Sequence, residues 1–497
     1  MLKKINETKT ILWLTGLLFF IVNFVTLKDG HNWGDDFAQY IICAQNIAQN
    51  KPYTADVMIN NPTIYPPGFP LILAPLIKIF GVNFKILKSL NIIFWFLASL
   101  LFFALARKKI PENIALILYV FFLFSSFFFT YKQNILSDIP FVFFMMLSLF
   151  IFSEYQEADK TNPKWQTVLW ILFVSSLCFT MLVRSAGIVF FAATIFYFLC
   201  IERRYRKAAV IALSLTLLFA AQSLFMGANP GFLTVFTQYP LGTVLKAIHN
   251  NLAIVFTSTL FFFCPAYNIF SLIIYSSFLK LIEPLGLFFT LILALIFLYK
   301  TKKRSLSLWE CFFFFYFALM ILWSVFSHPP DAFVRFILPI TGLFALLIVE
   351  TTRRITQRWL SQRLPLHRLD TFILFFMFFL LFINTTNTIS RFRFNDDALY
   401  RKPNQELFRW VKTNTEPQEY YMFWKPRALA LMTGRLGAAH WIDARETWQD
   451  RIRDFGIHYL IMFKKNNREL IQELENQPLF FKLAWENGAY KIFRVLK

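Results

Sequence analysis

Three acidic side chains and two arginines stand where isolated charge needs a reason. Asp35 and Asp36 follow Gly34, just past the first long apolar run. Two adjacent carboxylates can divide a reaction, one accepting a proton while the other holds a cation or orients its partner. A plainer use is open as well: Asp is a good N-cap, and a helix over FAQYIICAQNIAQN would begin there. Asp138, in Ser137-Asp138-Ile139-Pro140, lies in a very short loop between apolar runs. Pro suits the first turn of the next helix, so Asp138 could cap it or join the other two acids in one site. Arg184 (LVRSAGIVF) and Arg335 (RFILP) sit at the ends of apolar runs. A lone arginine there often snorkels to lipid phosphate, but two could also grip the phosphate of an anionic lipid headgroup bidentately. Tyr65 opens Tyr65-Pro66-Pro67-Gly68-Phe69-Pro70, a rigid turn able to return the chain to the membrane or to aim Tyr65 at a ligand.

The elements that must hold these residues are apolar helices. Of 497 residues, 57% are hydrophobic and 16% charged, with 65 Phe, 13 Trp and 18 Tyr. Soluble domains have roughly 45–50% apolar and about 25% charged residues. A water-soluble enzyme could not hide this much Phe, Leu and Ile, and disorder is excluded for the same reason. A polytopic membrane protein remains. Runs long enough to cross the bilayer fall at 11–27, 85–106, 112–130, 138–153, 165–183, 186–201, 208–226, 283–300, 308–326, 332–350 and 370–386. The first reads as a retained signal-anchor, because no small-residue cleavage site follows it. The formal charge of +21 is carried largely by short clusters such as Arg107/Lys108/Lys109, Arg203/Arg204/Arg206/Lys207 and Lys300/Lys302/Lys303/Arg304. These occupy alternate loops, which the positive-inside rule makes cytoplasmic. Asp35, Asp36, Asp138, Arg184 and Arg335 are then predicted on the outer side, with the N-terminus inside and the C-terminus outside. No basic stripe follows a single element, so no nucleic-acid partner is expected. The five scattered cysteines form no zinc or disulfide pattern.

Residues 252–279 are apolar enough to span, but a span would invert the next basic cluster; a re-entrant pair of helices broken at Pro265 is predicted. The first outer loop, 28–84, is assigned to a membrane module over 1–387. The tail, 388–497, changes to a charged, mixed composition and is predicted as a small extracytoplasmic α/β domain. HYLIMF (458–463) and AYKIFRVL (489–496) read as strands, with a helix over NNRELIQELENQ between them. No internal repeat of the kind found in many transporters is visible.

GDDFAQY, YPPGFPLILAPL, SDIPF, VRSAG and RFILP together resemble the GT-C superfamily of membrane glycosyltransferases. The nearest branch is the glycosyltransferase family 39-like proteins, which include bacterial relatives of protein O-mannosyltransferases and of the lipid A aminoarabinose transferase. The tail stretch LFRWVKTNTEPQEYYMFWKPRALALMTGR also resembles the juxtamembrane segment of these bacterial proteins. The resemblance implies an all-α polytopic bundle of about eleven spans in the cytoplasmic (inner) membrane. It implies transfer of a sugar, with inversion, from a polyprenyl-phosphate donor to a lipid, glycan or protein hydroxyl at the outer face. Asp35 would be the general base, with Asp36 beside it. Asp138 would assist the site or, with Asp35, hold a divalent cation if one is used. Arg184, Arg335 and Tyr65 would contact the donor phosphate. The acid–lysine pair of the aminoarabinose transferases is missing from the YPPGFP region, which favours a hexose-type donor. A flippase of lipid-linked glycans, or a membrane protein whose tail binds a partner, is the alternative. The first would need ionisable residues within spans and a repeated half, and the second leaves the outer acids without a use.

Overall fold

The computed structural model describes residues 2–59, 65–158, 162–226, 255, 279–323, 330–360, 366–391, 397–439 and 448–496. Its Cα packing divides into two compact units. One contains Met1–Leu27, Ser89–Lys132 and Ser137–Asn395; the other contains Lys28–Lys88, Gln133–Leu136 and Asp396–Lys497. The predicted re-entrant segment lies outside the described residues, Val255 and Leu279 apart.

Numbered along the chain, the helices are α1 (Leu2–Val25), α2 (Asp36–Ala48), α3 (Gly68–Phe80), α4 (Phe84–Ala106), α5 (Glu112–Leu123), α6 (Ser126–Tyr131) and α7 (Asp138–Ala158). They continue with α8 (Pro163–Val183), α9 (Ile188–Phe196), α10 (Tyr205–Met226), α11 (Leu279–Lys302), α12 (Leu308–Trp323), α13 (Pro330–Ile355) and α14 (Leu366–Arg391). Among the described residues, nine helices are long and apolar enough to cross a membrane, and the protein is an integral membrane protein. The predicted spans 186–201 and 308–326 fall on shorter apolar helices, Ser185–Ile201 and Leu308–Leu322.

The helices of the first unit show why their sequences are apolar on every side. On α14, Ile373, Met377, Leu380 and Asn384 are buried at spacings of three and four, while Phe372, Phe375, Phe376, Phe379 and Phe382 are exposed. The first set makes a packing seam, and the second is a surface that only lipid can cover. The predicted span 112–130 is interrupted at Phe124–Ser125, between α5 and α6. In hydrocarbon the freed backbone groups need partners. Trp95 Nε1 donates to the Phe122 and Leu123 carbonyls at 3.2 and 3.3 Å, and the Ser126 N–H donates to Asn384 Oδ1 at 3.3 Å. Between α8 and α9 the chain turns through a single 3₁₀ turn, Ser185–Gly187.

In the second unit the loop that follows α1 packs with the tail. In the tail, α15 (Lys402–Asn414), β1 (Tyr420–Phe423), α16 (Pro426–Thr433), β2 (Gly437–Ala439), α17 (Trp448–Asp454), β3 (Ile457–Phe463), α18 (Arg468–Glu475), β4 (Phe481–Glu486) and β5 (Tyr490–Val495) follow one another. The strands form one sheet in the order β2-β1-β3-β5-β4. β1 pairs parallel with β2 and β3, and β5 antiparallel with β3 and β4. Met422, Leu460, Met462 and Phe493 fill its core with Ile471 and Leu474 of α18. β3, β5 and α18 lie where the sequence predicts them; β1, β2 and β4 are additional. β1 and β2 are too short to show a period, and in β4 only Phe481 is buried.

The loop joins this domain by direct bonds. Ile59 N–H donates to the Gly437 carbonyl at 3.1 Å, and Leu399 N–H to the His31 carbonyl at 3.0 Å. His31 also binds segment 133–136: its Nε2 accepts the Ile135 N–H at 3.1 Å while Nδ1 bonds the Asn32 carbonyl at 3.0 Å. Burial holds this imidazole down at a pKa of about 3, so it is neutral at physiological pH and can accept through Nε2.

Gly187 is required for a close approach. A Cβ there would lie 2.6 Å from Met181 Cα and 2.8 Å from Met181 N, both backbone atoms. Gly187→Ala is expected to cost about 1–3 kcal/mol through overpacking, read as a lower thermal midpoint in detergent. An unchanged midpoint would contradict the tight turn after Arg184.

Candidate functional site

The first cluster lies within the second unit and begins at Asp35, the N-cap residue of α2. Its backbone carbonyl accepts the Ala38 N–H at 3.2 Å, but its carboxylate makes no capping bond to α2. Oδ1 instead accepts the Ala428 N–H, at 3.2 Å, from the first turn of α16. Pro426 opens that helix without an N–H, so Ala428 offers one of the amides a helix start leaves unsatisfied. The adjoining Arg427 places Nε 3.8 Å from Asp35 Oδ2 and Nη1 3.8 Å from Asp36 Oδ1. Arg427 Nη1 also donates to the Tyr65 hydroxyl at 3.3 Å, and that hydroxyl donates to Asp36 Oδ1 at 2.7 Å.

Tyr65 is itself held from behind. Its ring stacks on Tyr40 at 4.9 Å, and its carbonyl accepts the Tyr53 hydroxyl at 2.8 Å. The Arg427 guanidinium lies 5.5 Å from the Tyr65 ring centre. Predicted to reach a ligand, Tyr65 is thus engaged by Asp36 and Arg427. Burial raises its pKa well above the ordinary phenol value, so it remains a donor. For Asp35, burial raises the pKa; the charges of Arg427 and Lys425 and the Ala428 hydrogen bond oppose it without reversing it. The side chains are 9% exposed at Arg427, 18% at Asp35 and 33% at Asp36, so a ligand can reach the acids more readily than the cation. Among the described residues, Asp35 Oδ2 has no hydrogen-bond donor.

Arg427 was missed by the sequence reading, although it lies inside the tail stretch that carries the family resemblance. One local signal was available. A cation at the second position of a helix opposes the helix dipole, so an arginine directly after Pro426 calls for an anionic partner elsewhere.

The second cluster lies within the first unit. α7 starts at Asp138, with Pro140 in its first turn. Asp138 Oδ1 pairs with Arg184 Nη1 at 2.9 Å and Arg335 Nε at 3.5 Å. Arg184 leaves α8 in extended conformation and donates to Ser137 Oγ at 3.3 Å. Both guanidinium groups lie near the Phe336 ring, at 5.1 and 4.9 Å from its centre. The structure therefore gathers Asp138, Arg184 and Arg335, which the sequence could only place at three separate span ends. Asp138 is 4% exposed, and its buried Oδ2 has no hydrogen-bond partner among the described residues.

A divalent cation fits neither cluster taken by itself. Oxygen-ligated cations need several carboxylate or carbonyl donors, and no group of three His, Cys, Asp or Glu side chains converges among the described residues. Each set of acids already faces guanidinium charge, which repels a cation.

Removing Asp138 leaves two largely buried arginines without that partner. Asp138→Asn is expected to cost about 3 kcal/mol, seen as a lower thermal midpoint, and adding Arg184→Gln should cost less than it does in wild type. Strictly additive losses would show that the pair is not coupled.

Residues 65–245 match the family of dolichyl-phosphate-mannose-protein mannosyltransferases. A protein of Aquifex aeolicus, described only as uncharacterized, is 24% identical over 188 residues, which are 37% of this chain and 36% of that protein. The fold is similar to that of the archaeal oligosaccharyltransferase AglB from Archaeoglobus fulgidus, solved with an inhibitory peptide and a dolichol-phosphate. The TM-score is 0.60 at 12% identity, over 96% of this chain and 71% of AglB. It is also similar to ArnT from Cupriavidus metallidurans, with a TM-score of 0.57 at 12% identity over 97% of both chains for the apo state. The same enzyme bound to undecaprenyl phosphate gives a TM-score of 0.54. The chain is thus an integral membrane protein whose fold is similar to those of AglB and ArnT, and its residues 65–245 match the family of dolichyl-phosphate-mannose-protein mannosyltransferases.

Proposed function

We propose that this protein is an inverting glycosyltransferase that moves a hexose from a polyprenyl-phosphate donor to an acceptor hydroxyl. The observation that carries the reading is the Asp35 carboxylate: one oxygen is tied to a backbone amide and the other has no donor among the described residues, in a setting that raises its affinity for a proton. That is what a general base needs. The family match and the polyprenyl phosphates bound by AglB and ArnT support the donor class.

In this reading Asp35 Oδ2 takes the proton from the acceptor hydroxyl as its oxygen attacks the anomeric carbon. The bond from that carbon to the phosphate oxygen breaks, and polyprenyl phosphate leaves with the electron pair. Attack opposite the leaving group inverts the anomeric centre. Asp36, bound by Tyr65, adds negative charge beside the base. Within the first unit, Arg184 and Arg335, held by Asp138, carry charge of the kind that suits a polyprenyl phosphate. The Lys/Arg clusters support an inner-membrane protein with a cytoplasmic N-terminus and an outer tail domain.

Purified protein in nanodiscs, supplied with a panel of polyprenyl-phosphate sugars, should release polyprenyl phosphate. Asp35→Asn should be folded and lose activity by roughly 10²–10⁴-fold, the contribution usual for a general base. Full activity in that variant would exclude the role. Because the base works ionised, turnover should fall as pH drops through its raised pKa, so the acid limb of the rate profile should lie above the ordinary carboxylate value of about 4. An acid limb at or below that value would speak against Asp35.

A further inference from the structure

We infer that the first turn of α16 belongs to the catalytic machinery: Arg427 is a positioning residue that, with the Ala428 amide, fixes the Asp35 carboxylate so that Oδ2 is the oxygen left to take the acceptor's proton. The inference rests on the reading of Asp35 as the base. It gives the tail domain a part in transfer beyond packing.

The geometry separates two tasks. Among the described residues the Ala428 amide makes the one hydrogen bond to the Asp35 side chain, and it uses Oδ1. Arg427 approaches Oδ2 no closer than 3.8 Å, beyond hydrogen-bond range, so it contributes charge there without occupying the oxygen's lone pairs. Its own orientation is set on the opposite side, by the hydrogen bond to Tyr65 and by Asp36. Tyr65 is in turn fixed by Tyr40 and Tyr53. The hydrogen bond to Tyr65 and the approach to Asp36 leave Asp35 Oδ2 open, which an Arg–carboxylate fork on Asp35 would not do. A 9% exposed guanidinium at a helix start also carries a desolvation cost and an unfavourable dipole, offset here by the two carboxylates.

The test uses the full-length protein with Arg427→Gln, Arg427→Lys, Asp35→Asn and the double variant Asp35→Asn/Arg427→Gln. The readouts are kcat, the KM for the polyprenyl-phosphate sugar turned over by wild type, and the thermal midpoint. Arg427→Gln should lower kcat at least ~10-fold with donor KM unchanged. Arg427→Lys, keeping charge but not shape, should recover part of the loss. In the Asp35→Asn background the second substitution should change the residual rate by less than about 2-fold, because the residue it acts through is gone. A loss that is the same in both backgrounds, or one that appears only as a lower midpoint, overturns the inference while leaving Asp35 as the base. Full activity of Asp35→Asn overturns the base itself. If Arg427→Gln does not fold, Arg427→Lys decides: wild-type kcat and donor KM in that variant would reject the requirement for a guanidinium.

Discussion

Charge withdrawn from water must be answered by charge or by hydrogen bonds close at hand, and this constraint shapes the protein wherever its chain carries an ionisable group inward. Arg427 meets Asp35 and Asp36; Arg184 and Arg335 meet Asp138. The same rule holds away from both clusters. Lys300 pairs with Glu310, both nearly buried, and Lys132 is held by Asn23 and Thr26 with the Phe129 ring 3.8 Å away. Most of these groups neutralise one another and end there. In the second cluster the buried Asp138 Oδ2 has no donor among the described residues, as is also true of Glu202 Oε2, Glu350 Oε2 and Asp370 Oδ1 elsewhere. A polar atom left in that condition is costly, and a binding partner that comes and goes is one reason to keep it.

Backbone groups obey the same requirement. The break between α5 and α6 persists because an indole and an asparagine amide replace the lost helical bonds. Outside the membrane-spanning helices, the loop that follows α1 carries two short helices and a Pro-Pro-Gly turn. It joins the mixed sheet of the tail through bonds at Ile59 and His31 and through the acids at Asp35 and Asp36. The resulting unit is built from segments at both ends of the chain, which explains how a residue near position 430 comes to orient one near position 35.

That arrangement links stability to chemistry. An acid whose only role was to start α2 would use its side chain on α2. Asp35 instead binds the start of another helix and rests against its first cation. Asp138 stands at the start of α7 but spends its charge on two arginines. In both places the local role that the sequence offered was available, and the tertiary structure used the side chain differently.

The sequence by itself determined the membrane character and the span pattern, because crossing hydrocarbon demands long apolar runs and little else. It also determined β3, β5 and α18, two short apolar strands and the amphipathic helix between them, and it marked Asp35, Asp36, Asp138, Arg184 and Arg335 as charges in unusual places. Tertiary structure alone decided who meets whom. Asp35 and Ala428 are 393 positions apart, and Asp138 pairs with two arginines from other helices. No local periodicity records such partners, because the free energy that selects them comes from burial and charge in the folded chain. β1, β2 and β4 escaped notice for a related reason. They are short or little buried, and they exist as strands because β3 offers an edge to β1, β1 to β2, and β5 to β4.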